Sequence, residues 1–310
     1  MQEWRFIAGL VIAMLVGVGS ATPCEGQRLV DRGFVTNPMW DTEAAVDEGE
    51  TRLINSYGGW AAFGPYVPSN DTHAWHHEIG GFIELRRSHR SSLLVTTQIE
   101  FVADPNNEIS FNPRAVFWEE GIVYTRRTNA GFDWQLGYYH RCKHDVDNLE
   151  RGRQRALIFG SVRSRAIIPL GEANTSDYVS IDADLYTIRQ DARLPRVLEA
   201  EGRNWNQWLG SVGVQGFTQH SVGEQTGLYA SAFGRMVLIS ENEGFTNRFS
   251  AIEGVEGSMG ASAGLALEGR ATLRLGVEYE YQSDTGIPVE PQSAHLLRIV
   301  ARAQPLAAVR

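Results

Sequence analysis

The sequence is poor in lysine and cysteine, and beyond residue 21 it holds no long apolar run. Each shortage narrows what the chain can be. Its formal net charge is -9 and no basic block interrupts it. Neutralising phosphates takes grouped cations, so this argues against nucleic acid as a partner. The two cysteines, Cys24 and Cys142, are too few for a disulfide scaffold. In an oxidising compartment they form one bridge at most. Cys24 is alternatively a lipidation site, although Ala21-Thr22-Pro23 before it is a poor lipobox. No Gly-rich phosphate loop, Cys-x-x-Cys pair or Ser nucleophile elbow is present; fragments such as Gly257-Ser258 precede no helix. No segment after Ala21 is long and apolar enough to cross a bilayer as a helix, which takes about 20 residues.

What is present begins at the N-terminus. Arg5, the apolar run Phe6–Val18 and the small residues Gly19-Ser20-Ala21 read as a secretory signal peptide over 1–21. Residues 22–50, with Asp41, Glu43, Asp47, Glu48 and Glu50, read as an acidic periplasmic N-terminal arm or a plug. Beyond them the chain alternates with period two. Leu93, Val95, Thr97, Ile99 and Phe101 alternate with Ser92, Thr96, Gln98 and Glu100, and the same rhythm recurs at 78–86, 179–186 and 271–280. About twelve such segments are expected, near 53–66, 76–87, 91–103, 114–127, 131–144, 154–168, 177–189, 205–218, 227–239, 257–267, 270–281 and 294–302. Short turns such as Ser88-His89-Arg90, Asn129-Ala130-Gly131 and Glu268-Gly269 alternate with longer polar connections.

Strands long enough to cross a bilayer, joined by turns and loops in strict phase, are the pattern of a transmembrane barrel. A soluble sandwich needs neither feature. In hydrocarbon the sheet must close, because no backbone group is allowed to lack a partner. The expectation is an all-β chain: a transmembrane antiparallel β-barrel of about 12 strands over 51–303, in the cell outer membrane among its lipids. A C-terminal tail follows over 304–310, where the last strand of such barrels usually ends on an aromatic residue. A homodimer is compatible with this architecture, though no sequence feature demonstrates one.

Within that frame Arg163, Arg165, Asp182, Asp184, Arg274, Glu278 and Glu280 fall on the inward face. Opposed charges lining a small barrel either pair and fill it or border a water-filled pore. The leading functional expectation is therefore a narrow pore or structural membrane protein with a charge-lined lumen and no cofactor.

The densest reactive cluster is Tyr138-Tyr139-His140-Arg141-Cys142-Lys143-His144-Asp145, closing the fifth segment. Phe132, Trp134, Leu136 and Tyr138 form its apolar, lipid-facing set, and His140 and Cys142 continue that set toward the external rim. His140 is open to a bland reading beside Tyr138 and Tyr139 in an aromatic girdle. His140, Cys142 and His144 also alternate on one face, a ligand set of zinc or copper type. Arg141, Lys143 and His144 are cations close in sequence, of the kind that favour a thiolate.

The His140-Arg141-Cys142 spacing resembles outer-membrane phospholipase A and the outer-membrane lipid A deacylase, small barrels with a His-x-Ser pair near the outer rim of one strand. Here a thiol replaces the hydroxyl, and Lys143-His144 stands where Asn-Gly commonly follows. The resemblance implies an outer-leaflet lipid acyl hydrolase with Cys142 as nucleophile and His140 as base. An amide on the next strand, Gln154, would orient the imidazole. It also implies calcium, for which Asp145, Asp147 and Asn148 offer oxygen ligands. A third expectation is a metal-binding or surface-interaction barrel.

Overall fold

Period-two alternation becomes a closed wall. The computed structural model describes residues 35–69, 73–103, 113–145, 155–170, 177–193, 208–240, 254–282 and 294–305. Residues 1–34, which hold the expected signal peptide and Cys24, lie outside them. The strands are β1 (Thr51–Pro65), β2 (Trp75–Ser88), β3 (Ser91–Ala103), β4 (Pro113–Arg127), β5 (Asp133–Asp145) and β6 (Arg155–Pro169). They continue as β7 (Tyr178–Arg193), β8 (Trp208–Gly223), β9 (Thr226–Ile239), β10 (Gly254–Glu268), β11 (Ala271–Gln282) and β12 (Ala294–Pro305). Each pairs antiparallel with the next, and β12 closes onto β1 through Ala61↔Ala303, Ala62↔Arg302 and Phe63↔Ala301. The ladder of β12 thus runs to Pro305, opposite Ala271. Gln304 and Pro305 therefore belong to the wall, not to a tail starting at 304.

The connections keep their phase. The turns after β2, β8 and β10 are two residues long, while the links after β7 and β9 are fourteen. The start of β1 and the end of β12 both lie at the short-turn end.

Polarity is inverted relative to a soluble protein. Tyr57, Ile79, Ile122, Ile181, Leu228 and Ile299 are exposed on the outside. Arg141, Lys143, Asp182, Asp184, Glu84 and Glu100 are buried within. An apolar belt around a closed sheet is stable only where hydrocarbon surrounds it, and each strand has a neighbour on both sides because lipid offers backbone groups no substitute. Bulges adjust the alternation locally. One lies between Glu84 and Arg86. It turns Arg86 outward and brings Arg87 inside, where its Nη1 donates to Glu84 Oε1 at 3.2 Å. Strict alternation from Glu78 would instead point Arg86 inward.

The interior also holds more than charge. Trp60, Phe82, Leu94, Val123 and Tyr139 form one inner apolar cluster, and Leu157, Phe159, Tyr186, Trp208 and Val237 form another.

Candidate functional site

The inward face of β4–β9 carries an ionic network. Asp184 on β7 accepts from Arg163 Nη2 at 2.7 Å and from Arg235 Nη1 at 3.2 Å. Asp182, two residues earlier on the same face, accepts from Arg235 Nη2 at 2.6 Å and lies 3.6 Å from Arg165 Nη2. Arg141 donates to Glu119, and to Ser161 Oγ at 2.6 Å. Gly213 makes this packing possible: a Cβ there would stand 2.7 Å from Arg235 Nη2. The Tyr139 ring lies across Gly121 and Gly137, with the Arg141 and Arg163 guanidinium carbons 5.0 and 4.8 Å from its centroid. Such stacking over an aromatic face adds to the ion pairs.

A second network spans the seam. Glu278 accepts from Arg298 Nε at 2.6 Å and lies 3.5 Å from Arg302, which also reaches Glu78 at 3.6 Å. Glu280 is buried on the same face. Arg274 packs over Phe217 at 4.4 Å and donates to Gln304 Oε1 at 3.1 Å. The inner space among Thr36, Trp60, Gln98, Glu119, Tyr139 and Arg163 is a cavity of about 40 Å³, room for little more than water.

The short-turn mouth is occupied by residues 35–50. Asn37 Nδ2 donates to Asp133 Oδ2 at 2.9 Å, Gln135 Nε2 to Thr36 O at 2.9 Å, and Arg127 Nη2 to Met39 O at 3.1 Å. Val35 packs with Ile167, Tyr178, Phe217, Tyr229 and Ala266, and Trp40 lies 5.1 Å from the Tyr178 ring. The hydrogen bonds hold the segment to β4 and β5 and the packing holds it to β6–β10, so it is wedged inside the opening.

The lipid-facing cluster has a different geometry from the one its sequence suggests. His140, Cys142 and His144 do face outward on β5. His140, however, lies seven residues from one end of β5 and five from the other, at mid-wall and not at the rim. Arg141 and Lys143 are on the opposite side of the wall, because neighbours along a strand point to opposite faces. Arg141 is engaged with Glu119, and the Lys143 ammonium sits 5.1 Å from the Phe117 ring. Neither cation stands beside the thiol. Tyr139 is likewise internal and forms no girdle with Tyr138.

Gln154, Asp147 and Asn148 lie outside the described residues, as does the side chain of Asp145. Among the described residues no three His, Cys, Asp or Glu side chains converge as a metal site. His140, Cys142 and His144 are spread along the strand at about 7 Å per same-face step, too far apart to grip one ion. Among them Cys142 is a free thiol.

The register reveals a group that sequence reading passed over. Glu120 is exposed on β4 and stands directly opposite His140, while Trp118 stands opposite Cys142. Only the antiparallel pairing of β4 with β5 sets the acidic and the imidazole residue opposite each other.

No protein-family model matches the chain, and no curated protein does. Solved structures of similar shape include LpxR from Salmonella typhimurium, with a TM-score of 0.40 at 8% identity, covering 80% of this chain and 99% of that one. An outer membrane channel from Pseudomonas putida F1 gives 0.42 at 12% identity, over 84% and 97% of the two chains. The translocator domain of the autotransporter NalP from Neisseria meningitidis gives 0.39 at 10%, over 87% and 89%. At these scores they carry no correspondence between residues. The location follows from the wall itself: single-chain antiparallel barrels with an even strand number and an apolar belt belong to the outer membrane. The protein is an outer-membrane β-barrel.

Proposed function

We propose that the protein is a structural outer-membrane barrel whose lumen is a solid ionic core, stoppered at its short-turn mouth by residues 35–50, and not a standing conduit. The observation that carries this reading is the burial of the lumen charges in direct ion pairs, with Asp184 bonded to both Arg163 and Arg235. A water-filled pore keeps such side chains hydrated and apart. The acyl-hydrolase alternative is less well supported. Two of the three cations near its thiol in sequence, Arg141 and Lys143, are buried across the wall from it, and its imidazole lies at least five residues from either end of β5.

Planar-bilayer recording tests the proposal. The purified full chain, inserted in phosphatidylcholine membranes in potassium chloride, is expected to give no steady conductance above the bare membrane. Steady, ohmic steps from most insertions overturn it and make the lumen a pore.

A further inference from the structure

Glu120 and His140 occupy an unusual place. Glu120 lies seven residues from either end of β4, and both side chains are exposed on the apolar wall. Other outward-facing acidic or basic side chains, such as Arg86, Arg126, His77, His144 and His295, sit within three residues of a strand end. There they reach headgroups or water. Glu120 and His140 have Trp118, Ile122 and Tyr138 around them instead. An ionisable group at hydrocarbon depth is costly, and lipid tails offer it no hydrogen bond.

The row across the sheet that holds the pair is otherwise made of small residues, low on the β1–β3 side and covered at Gly160 by the Tyr138 hydroxyl. Register runs Gly59↔Gly81↔Thr97↔Glu120↔His140↔Gly160. Small residues flanking a polar pair are what permits two membrane walls to approach closely.

We propose that this face is a membrane-embedded homodimer contact, in which Glu120 of one copy bonds His140 of the other, twice. The symmetry favours a second copy over any other occupant. Two identical barrels inserted the same way are related by a dyad along the membrane normal, which preserves height. A dyad passing between β4 and β5 sets β4 of each copy against β5 of the other. Such an isologous contact is satisfied only by a patch complementary to itself. An acid and a base side by side at the same level form such a patch. With strands tilted by roughly 40° the two groups differ in height by about 3 Å, within reach of their side chains. Trp118 of each copy then covers the flank near Cys142 of the other.

The test uses energy transfer between donor- and acceptor-labelled full-length protein in phosphatidylcholine vesicles, titrated in protein-to-lipid ratio. Wild type is expected to transfer above the random-collision level. Glu120→His alone and His140→Glu alone should each weaken association about tenfold, through the loss of two polar contacts. Mixing these two variants should restore transfer, because a His140→Glu copy meets a Glu120→His copy with complementary groups at both contacts. Restoration in trans is not produced by a folding defect, and heat-shifted electrophoretic migration verifies that each variant is folded. Transfer at the random level for wild type overturns the proposal, as do single variants that associate like wild type or a mixture that gains nothing. None of these results bears on conductance, so the closed-lumen reading stands or falls separately.

Discussion

Replacing Asp184 by asparagine keeps the shape of the side chain and removes one negative charge from among three guanidinium groups. Arg163 Nη2 lies 2.7 Å from its carboxylate, Arg235 Nη1 3.2 Å and Arg141 Nη1 3.9 Å. Unit charges about 4 Å apart attract by roughly 4 kcal/mol at an effective dielectric constant of 20. The desolvation of the carboxylate, several kcal/mol, opposes the sum. The outcome for a partner removed from a buried pair is a loss of about 3–5 kcal/mol. In a hydrated pore the same substitution costs about 0–1 kcal/mol, since the pair is then screened like one at a surface. Urea unfolding of the protein in lipid vesicles, followed by tryptophan emission, measures the difference as a shift of midpoint at constant slope. Asp184→Asn combined with Arg163→Gln should lose less than the two changes summed, because the second relieves the charge that the first uncovers. A loss below about 1 kcal/mol for Asp184→Asn would falsify the solid-core argument at its centre.

Two further outcomes follow from particular contacts. Gly121→Ala should cost about 1–3 kcal/mol in the same unfolding assay, because its Cβ would stand 2.6 Å from Cδ1 of a Tyr139 ring held between two guanidinium groups; a neutral result means the ring is free to move. In a Cys24→Ser background, Cys142 should react in vesicles with a membrane-partitioning maleimide and resist a charged thiosulfonate, as read by mass spectrometry. Equal reaction with both reagents would put the thiol in water.

Strand existence and facing were legible because the two environments differ so sharply: Leu273, Leu275 and Val277 could only face lipid once Arg274 and Glu278 faced inward. The inward set Arg163, Arg165, Asp182 and Asp184 followed from the same alternation. Its partners did not. Arg235 and Glu119 join that network from other strands, and only register shows which residues meet. Glu120 was hidden for the same reason, since nothing in a linear pattern sets it beside His140. The role given to Arg141 and Lys143 failed on a local rule. Residues adjacent in sequence are on opposite sides of a strand, so closeness along the chain meant separation by the whole thickness of the wall. The outward turn of Arg86 comes from a bulge, which inserts a residue without any strong compositional mark. Leu94 and Phe82 show that an inner face need not be polar when aromatic and aliphatic groups fill the space between ion pairs.

A cylinder corked by its own leading end imposes an order on its assembly. Residues 35–40 hold to β4–β10, yet they precede β1, the strand that closes the circle with β12. A sheet already sealed would have to admit the cork through an opening crowded by turns. Curling the open sheet around the cork avoids this, and makes the joining of first and last strands the closing act of folding.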